Sequence, residues 1–136
     1  MQGTLLSALF PKEKKMELPV SPAHLAVFSK RLDLLQQVVA QLTKDFQLSG
    51  FDVQFSGDET NAYLELTRQI EPLIANMLEF QNERFWTLLY SIDINEKQVR
   101  EALFGENPNS VQLLTDLILK RELQKVVIRN HYAGRL

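Results

Sequence analysis

Two histidines, His24 and His131, are the first residues in this chain that could move a proton near neutral pH or hold a metal ion. Metal chemistry on a helix needs a second ligand three or four residues away, as in HExxH or ExxH, and neither histidine has one. Both are therefore expected on the surface or in a cap. Glu79 and Glu83 stand four apart, and on a continuous helix they would share a face. Without histidine partners they read as solvated acids, not as half of a di-metal centre. The absence of cysteine removes thiolate nucleophiles, thiolate metal sites and disulfides. Glycines stand singly, at Gly3, Gly50, Gly57, Gly105 and Gly134, so no phosphate-cradling loop and no nucleophile elbow can be built from them. No catalytic residue, cofactor or metal is expected, and the chain reads as non-enzymatic.

Binding chemistry has more to work with. Lys120, Arg121, Lys125 and Arg129 fall at near-helical spacing within LTDLILKRELQKVVIRNHY and could form a basic surface for phosphate. Nothing beside them marks base reading, so they read first as a solvated or salt-bridging stripe, with nucleic acid a distant alternative. Phe80, Phe85, Trp86 and Tyr90 could line a small-molecule pocket, with the indole N–H or phenol hydroxyl orienting a polar group. The N-terminal LLSALFPKEKK could dock into a groove on a protein partner or on a second copy of the chain.

The elements that must carry these residues follow from apolar spacing. Leu25, Phe28, Leu32, Leu35, Val39, Leu42 and Phe46 step by threes and fours and predict one helix over 22–47. Ser21 is its N-cap, Pro22 its first residue, and Gly50 its stop. Tyr63, Leu66, Ile70, Leu73, Met77 and Phe80 repeat the pattern, with Asp58 as N-cap and Pro72 a kink in one bent helix over 59–91. Asp93 with Glu96 suggests a capping box for a helix over 94–104, ended by Gly105, and a last helix is expected over 110–132. KMELPV and FDVQF alternate like strands, the latter giving a strand-like connection at 51–57.

The expected architecture is all-α: a small bundle of four main helices, with 22–47 and 59–91 as a long antiparallel hairpin, an N-terminal tail over 1–20 and a single domain over 21–136. At 136 residues, 45% hydrophobic and 24% charged, the chain can bury a core of that size. Its formal charge of −2 gives no general attraction to phosphate or anionic lipid. The charge is uneven, though. Residues 52–83 hold seven acids and one base, while 117–136 hold five bases and one acid, so the two segments are expected to face each other. The opening MQGTLLSALFPKEKK has no basic leader ahead of its short apolar run, and no stretch approaches the roughly 20 apolar residues of a membrane span. A cytoplasmic location without membrane contact is expected.

In the last helix, Leu113, Leu114, Leu117 and Ile118 fall on one side, and Leu119, Leu123, Val126 and Val127 on the other. A helix apolar on opposite sides suits one gripped from both, by its own bundle and by a crossing helix or another subunit. The second group is the expected homodimer contact, which makes assembly with itself or another protein the expected function. On that reading Leu123→Asp with Val127→Asp lowers the oligomer mass and leaves the helices intact.

Overall fold

The computed structural model describes residues 20–47, 50–105 and 108–136. Six helices occur among them: α1 (Pro22–Phe28), α2 (Leu32–Asp45), α3 (Ala62–Phe80), α4 (Asn82–Ile92), α5 (Glu96–Phe104) and α6 (Ser110–Tyr132). The fold is all-helical, with no strand among the described residues. The other five helices all pack on α6, which is apolar on both sides and can therefore serve as the axis. α2 and α3 pack chiefly on α6 and far less on each other, so the expected 22–47/59–91 hairpin is replaced by two flanks around a shared centre. The expectations for residues 1–19 lie outside the described residues.

The first seam is interrupted. Ser21, in extended conformation, accepts the His24 N–H at 3.3 Å and caps α1 as its sequence implies. The helix then stops at Phe28, where the Ser29 hydroxyl donates to the Ala26 carbonyl at 2.9 Å and Arg31 turns to an extended φ of −90°. Leu25 and Leu34 explain the break. Nine residues apart, they would point about 180° away from each other on a straight helix, yet both belong to the one core. Re-aiming the chain at 29–31 buries Leu34, Leu35, Val38 and Leu42 and leaves the seam residue Leu32 on the surface.

The second expected helix, 59–91, also divides, but not at its proline. Pro72 lies inside α3 on the exposed side, and the helix runs on to Phe80. The chain turns at Gln81 (φ −140°, ψ 55°), which lets α4 fold back on α3 while also touching α6. Ile70, Ile74 and Met77 from α3 then share a core with Phe85, Leu88 and Ile92 from α4. Asp58 does not cap α3 directly. Its carboxylate accepts from the Thr60 N–H at 3.0 Å and the Asn61 amide at 2.9 Å, forming a turn ahead of the helix.

The 51–57 connection is extended, and it finds helical side chains in place of a strand. The Gln69 amide accepts the Gln54 N–H at 2.8 Å and donates to the Gln54 carbonyl at 2.7 Å, as a neighbouring strand would. One turn earlier, Glu65 accepts the Ser56 N–H at 2.6 Å and the Ser56 hydroxyl at 2.7 Å. Val53 is thereby held in the core.

The capping box shifts by two residues. Asp93 adopts the left-handed conformation (φ 63°) and closes α4, while Asn95 caps α5 by accepting from the N–H groups of Lys97 and Gln98. Glu96 pairs with Arg100 at 2.7 Å instead of reaching back to a cap. Gly105 ends α5 as expected, for a steric reason. A Cβ there would lie 2.6 Å from the Glu101 carbonyl oxygen, which already accepts the Gly105 N–H at 3.0 Å. Gly105→Ala is expected to lower stability by about 1–3 kcal/mol, read as an earlier urea midpoint with unchanged slope.

Candidate functional site

Two places concentrate groups capable of binding or proton chemistry: a polar seam buried between α2 and α6, and an aromatic outer face on α4 and α5. The seam is built by spacing. Gln37, Gln41 and Asp45 step by four along α2 and face Asn130, Arg129 and Lys125 of α6 in reverse order, which fixes the two helices antiparallel. At one end, the amide of Asn130 donates to Gln37 at 2.8 Å and to the Val126 carbonyl at 2.7 Å. In the middle, Arg129 donates to Gln41 at 3.2 Å, and Gln41 donates to Asp45 at 3.2 Å. At the far end, Lys125 Nζ lies 2.8 Å from Asp45 and 2.6 Å from Glu122.

Glu122 is the unusual member. It is 0% exposed, one lysine serves both it and Asp45, and neither of its oxygens receives an aligned hydrogen bond. Burial, reinforced by the Asp45 carboxyl, outweighs the lysine and raises its pKa to about 8. Burial also works to raise Asp45, but hydrogen bonds from Glu122, Lys125 and Gln41 outweigh it and hold that carboxyl below its ordinary value. An ionised Glu122 has no aligned donor, whereas a protonated one can donate to Asp45. The pair is thus one carboxylic acid hydrogen-bonded to one carboxylate, beside one ammonium.

The aromatic group does not converge. Phe85 is fully buried, with Trp86 edge-on to it at 5.6 Å between centroids. Trp86 donates to the Asn82 side chain at 3.2 Å. Phe80 and Tyr90 project outward. Trp86 and Tyr90 do line a crevice with Leu89, Ile94, Glu96 and Val99, but its volume is about 20 Å³, room for one water molecule and not for a metabolite. Glu96 continues from it into an open hollow of about 710 Å³ lined by Lys97, Arg100, Glu101 and Phe104.

Burial corrects the expected dimer contact. Leu119, Leu123, Val126 and Val127 all lie in the chain's own core, so the second grip on the last helix is intramolecular and comes from crossing helices. Two cations of the basic stripe, Arg121 and Lys125, form ion pairs within the chain. Arg121 donates to the Asp93 carbonyl at 2.9 Å and pairs with its carboxylate at 3.2 Å, and Lys125 and Arg129 serve the seam. Lys120 is exposed. The acids paired with Arg121 and Lys125 are Asp45, Asp93 and Glu122, and no ion pair among the described residues joins an acid of 52–83 to a base of 117–136. The acidic segment reaches α6 through Tyr63 instead, whose hydroxyl donates to Asp116.

His24 is exposed in the first turn of α1, its Nδ1 2.7 Å from the hydroxyl of the capping Ser21, and His131 is exposed beside Tyr132. Glu79 and Glu83 are exposed on different helices, because the break at Gln81 separates them. The described residues contain no group of three or more metal-ligating side chains, and no described helix is long and apolar enough to cross a membrane.

Sequence reasoning missed the seam, although a signal was present. Ile118, Glu122, Val126 and Asn130 step by four along α6, and all four are buried, so an acid and an amide occupy positions on a core stripe. Comparison of the chain with family models, curated proteins and solved structures finds no match.

Proposed function

We propose that this chain is a non-enzymatic, cytoplasmic interaction module that assembles with protein, first with a second copy of itself, through the outer face of α4 and α5. The observation that supports this is the exposure of two rings that line adjoining hollows, both bordered by Glu96. Tyr90 and Phe104 each leave 76% of their surface open, on either side of the Glu96–Arg100 ion pair. Each such ring offers roughly 150–250 Å² to a partner, toward the ~800 Å² per side of a standard interface.

A second copy fits the charges. The charged outer residues of α5 are Glu96, Lys97, Arg100 and Glu101, two acids and two bases. Two α5 helices running antiparallel about a two-fold axis near Val99 set Lys97 of one copy against Glu101 of the other, twice. Such a face is neutral and complementary to itself. It takes over the assembly role from Leu119, Leu123, Val126 and Val127, whose burial removes them from contact.

Sedimentation velocity tests the proposal. The wild type is expected to dimerise at micromolar concentration, and Tyr90→Glu with Phe104→Glu to weaken pairing at least ~100-fold with an unchanged circular dichroism spectrum. A wild type that stays monomeric at roughly 100 µM would sink it. A nucleic-acid surface has less support, because Arg121, Lys125 and Arg129 are already engaged within the chain.

A further inference from the structure

We propose that one proton held between Glu122 and Asp45 acts as a latch fastening α2 to α6, and that its loss loosens α2 from the bundle. The geometry supplies three reasons. Two carboxyl groups from different helices meet at a single ammonium, with Asp45 2.8 Å and Glu122 2.6 Å from Lys125 Nζ. Their side chains are 7% and 0% exposed, so water does little to screen a second negative charge. The buried side chains of α1, α3, α4 and α5, the other helices packed on α6, are all apolar and provide no further cation. Along the seam Arg129 is spent on Gln41, and Arg121 is held at Asp93.

With the proton in place, the cluster is one anion, one cation and one neutral acid. Without it, two anions share one cation, and the repulsion falls across the α2–α6 contact. The direction with pH follows from the two carboxyl groups. Glu122 moves from 4.5 in a free chain to about 8 in the fold, so between those values folding takes up a proton and stability falls as pH rises. The contribution is fully present below 4.5 and gone above about 8. Asp45 acts oppositely at the acid end: its folded value is lowered, so its contribution is lost as pH falls through that value.

The latch is tested on the full chain by carboxyl-carbon NMR titration, together with amide hydrogen exchange of α2 at pH 6 and pH 9. Glu122 is expected to titrate more than two pH units above a free glutamate. Protection of α2 amides, corrected for base catalysis, is expected to fall at least tenfold between the two pH values while α3 changes less. Glu122→Gln, which keeps the shape and never ionises, is expected to abolish that difference and retain α2 protection at pH 9. Should that variant fail to fold, Asp45→Asn supplies the second arm, because freeing Lys125 for Glu122 alone is expected to bring the Glu122 titration down by at least one unit. A wild-type Glu122 that titrates near 4.5, or α2 exchange that depends on pH only through base catalysis, would overturn the proposal.

Discussion

Val127→Asp is expected to abolish the folded state at room temperature, seen as loss of both the helical circular dichroism signal and the cooperative urea transition. Val127 is completely buried in the common core of the bundle. The substitution removes a valine's burial, about 1.5–3 kcal/mol, and places a carboxyl where no donor awaits it, which costs a further ~2–4 kcal/mol even when protonated. Together these are on the order of 5 kcal/mol, comparable to the whole stability of a small domain. This reverses the expectation drawn from helical periodicity alone, in which aspartate at Leu123 and Val127 separates subunits and spares the helices. A Val127→Asp protein that keeps a wild-type transition and merely loses mass in sedimentation would restore the earlier view.

Lys125→Met is expected to cost about 3–5 kcal/mol at pH 8 and clearly less at pH 5. Methionine matches the lysine stem in volume and leaves Asp45 and Glu122 without their shared cation. Gln41 still donates to Asp45 at 3.2 Å, which keeps the loss from being larger. In the variant both carboxyl groups bind protons more tightly in the fold than in the unfolded chain, so stability rises as pH falls toward the ordinary carboxylate range. Urea unfolding at the two pH values reads the difference. An equal, small loss at both would show that the pair needs no lysine. Lys125→Arg, which restores the charge on a different stem, is expected to recover part of the loss.

These two positions show how far a helical pattern can be read. Ser110–Tyr132 was legible to within about a residue, because its apolar positions recur over 23 residues and a turn-forming stretch precedes it. Its two-sided apolar character was legible as well, and it correctly marked a helix gripped from both sides. What grips it was not legible, since a buried valine has the same periodicity whether its neighbour belongs to the same chain or to another copy. The heptad seams misled for a related reason. Spacing of threes and fours persists through Ser29–Arg31, so it carries no record of the turn that allows Leu25 and Leu34 to share one core. The step from Phe80 to Phe85 lengthens to five, and a single-helix reading passes over it at Gln81, where the turn lets Met77 and Phe85 share that core.

Composition and spacing alone determined that this chain is helical, that Ser21 and Pro22 begin α1 and Gly105 ends α5, and that 51–57 is extended, because those properties depend on neighbours in sequence. Tertiary structure decided that α6 is the axis, that its aliphatic second side is core, that Tyr90 and Phe104 are each exposed, and that Asp45 meets Glu122 across 77 positions of chain. Burial and charge pairing depend on neighbours in space, and a one-dimensional pattern of apolar residues is compatible with several arrangements of those neighbours.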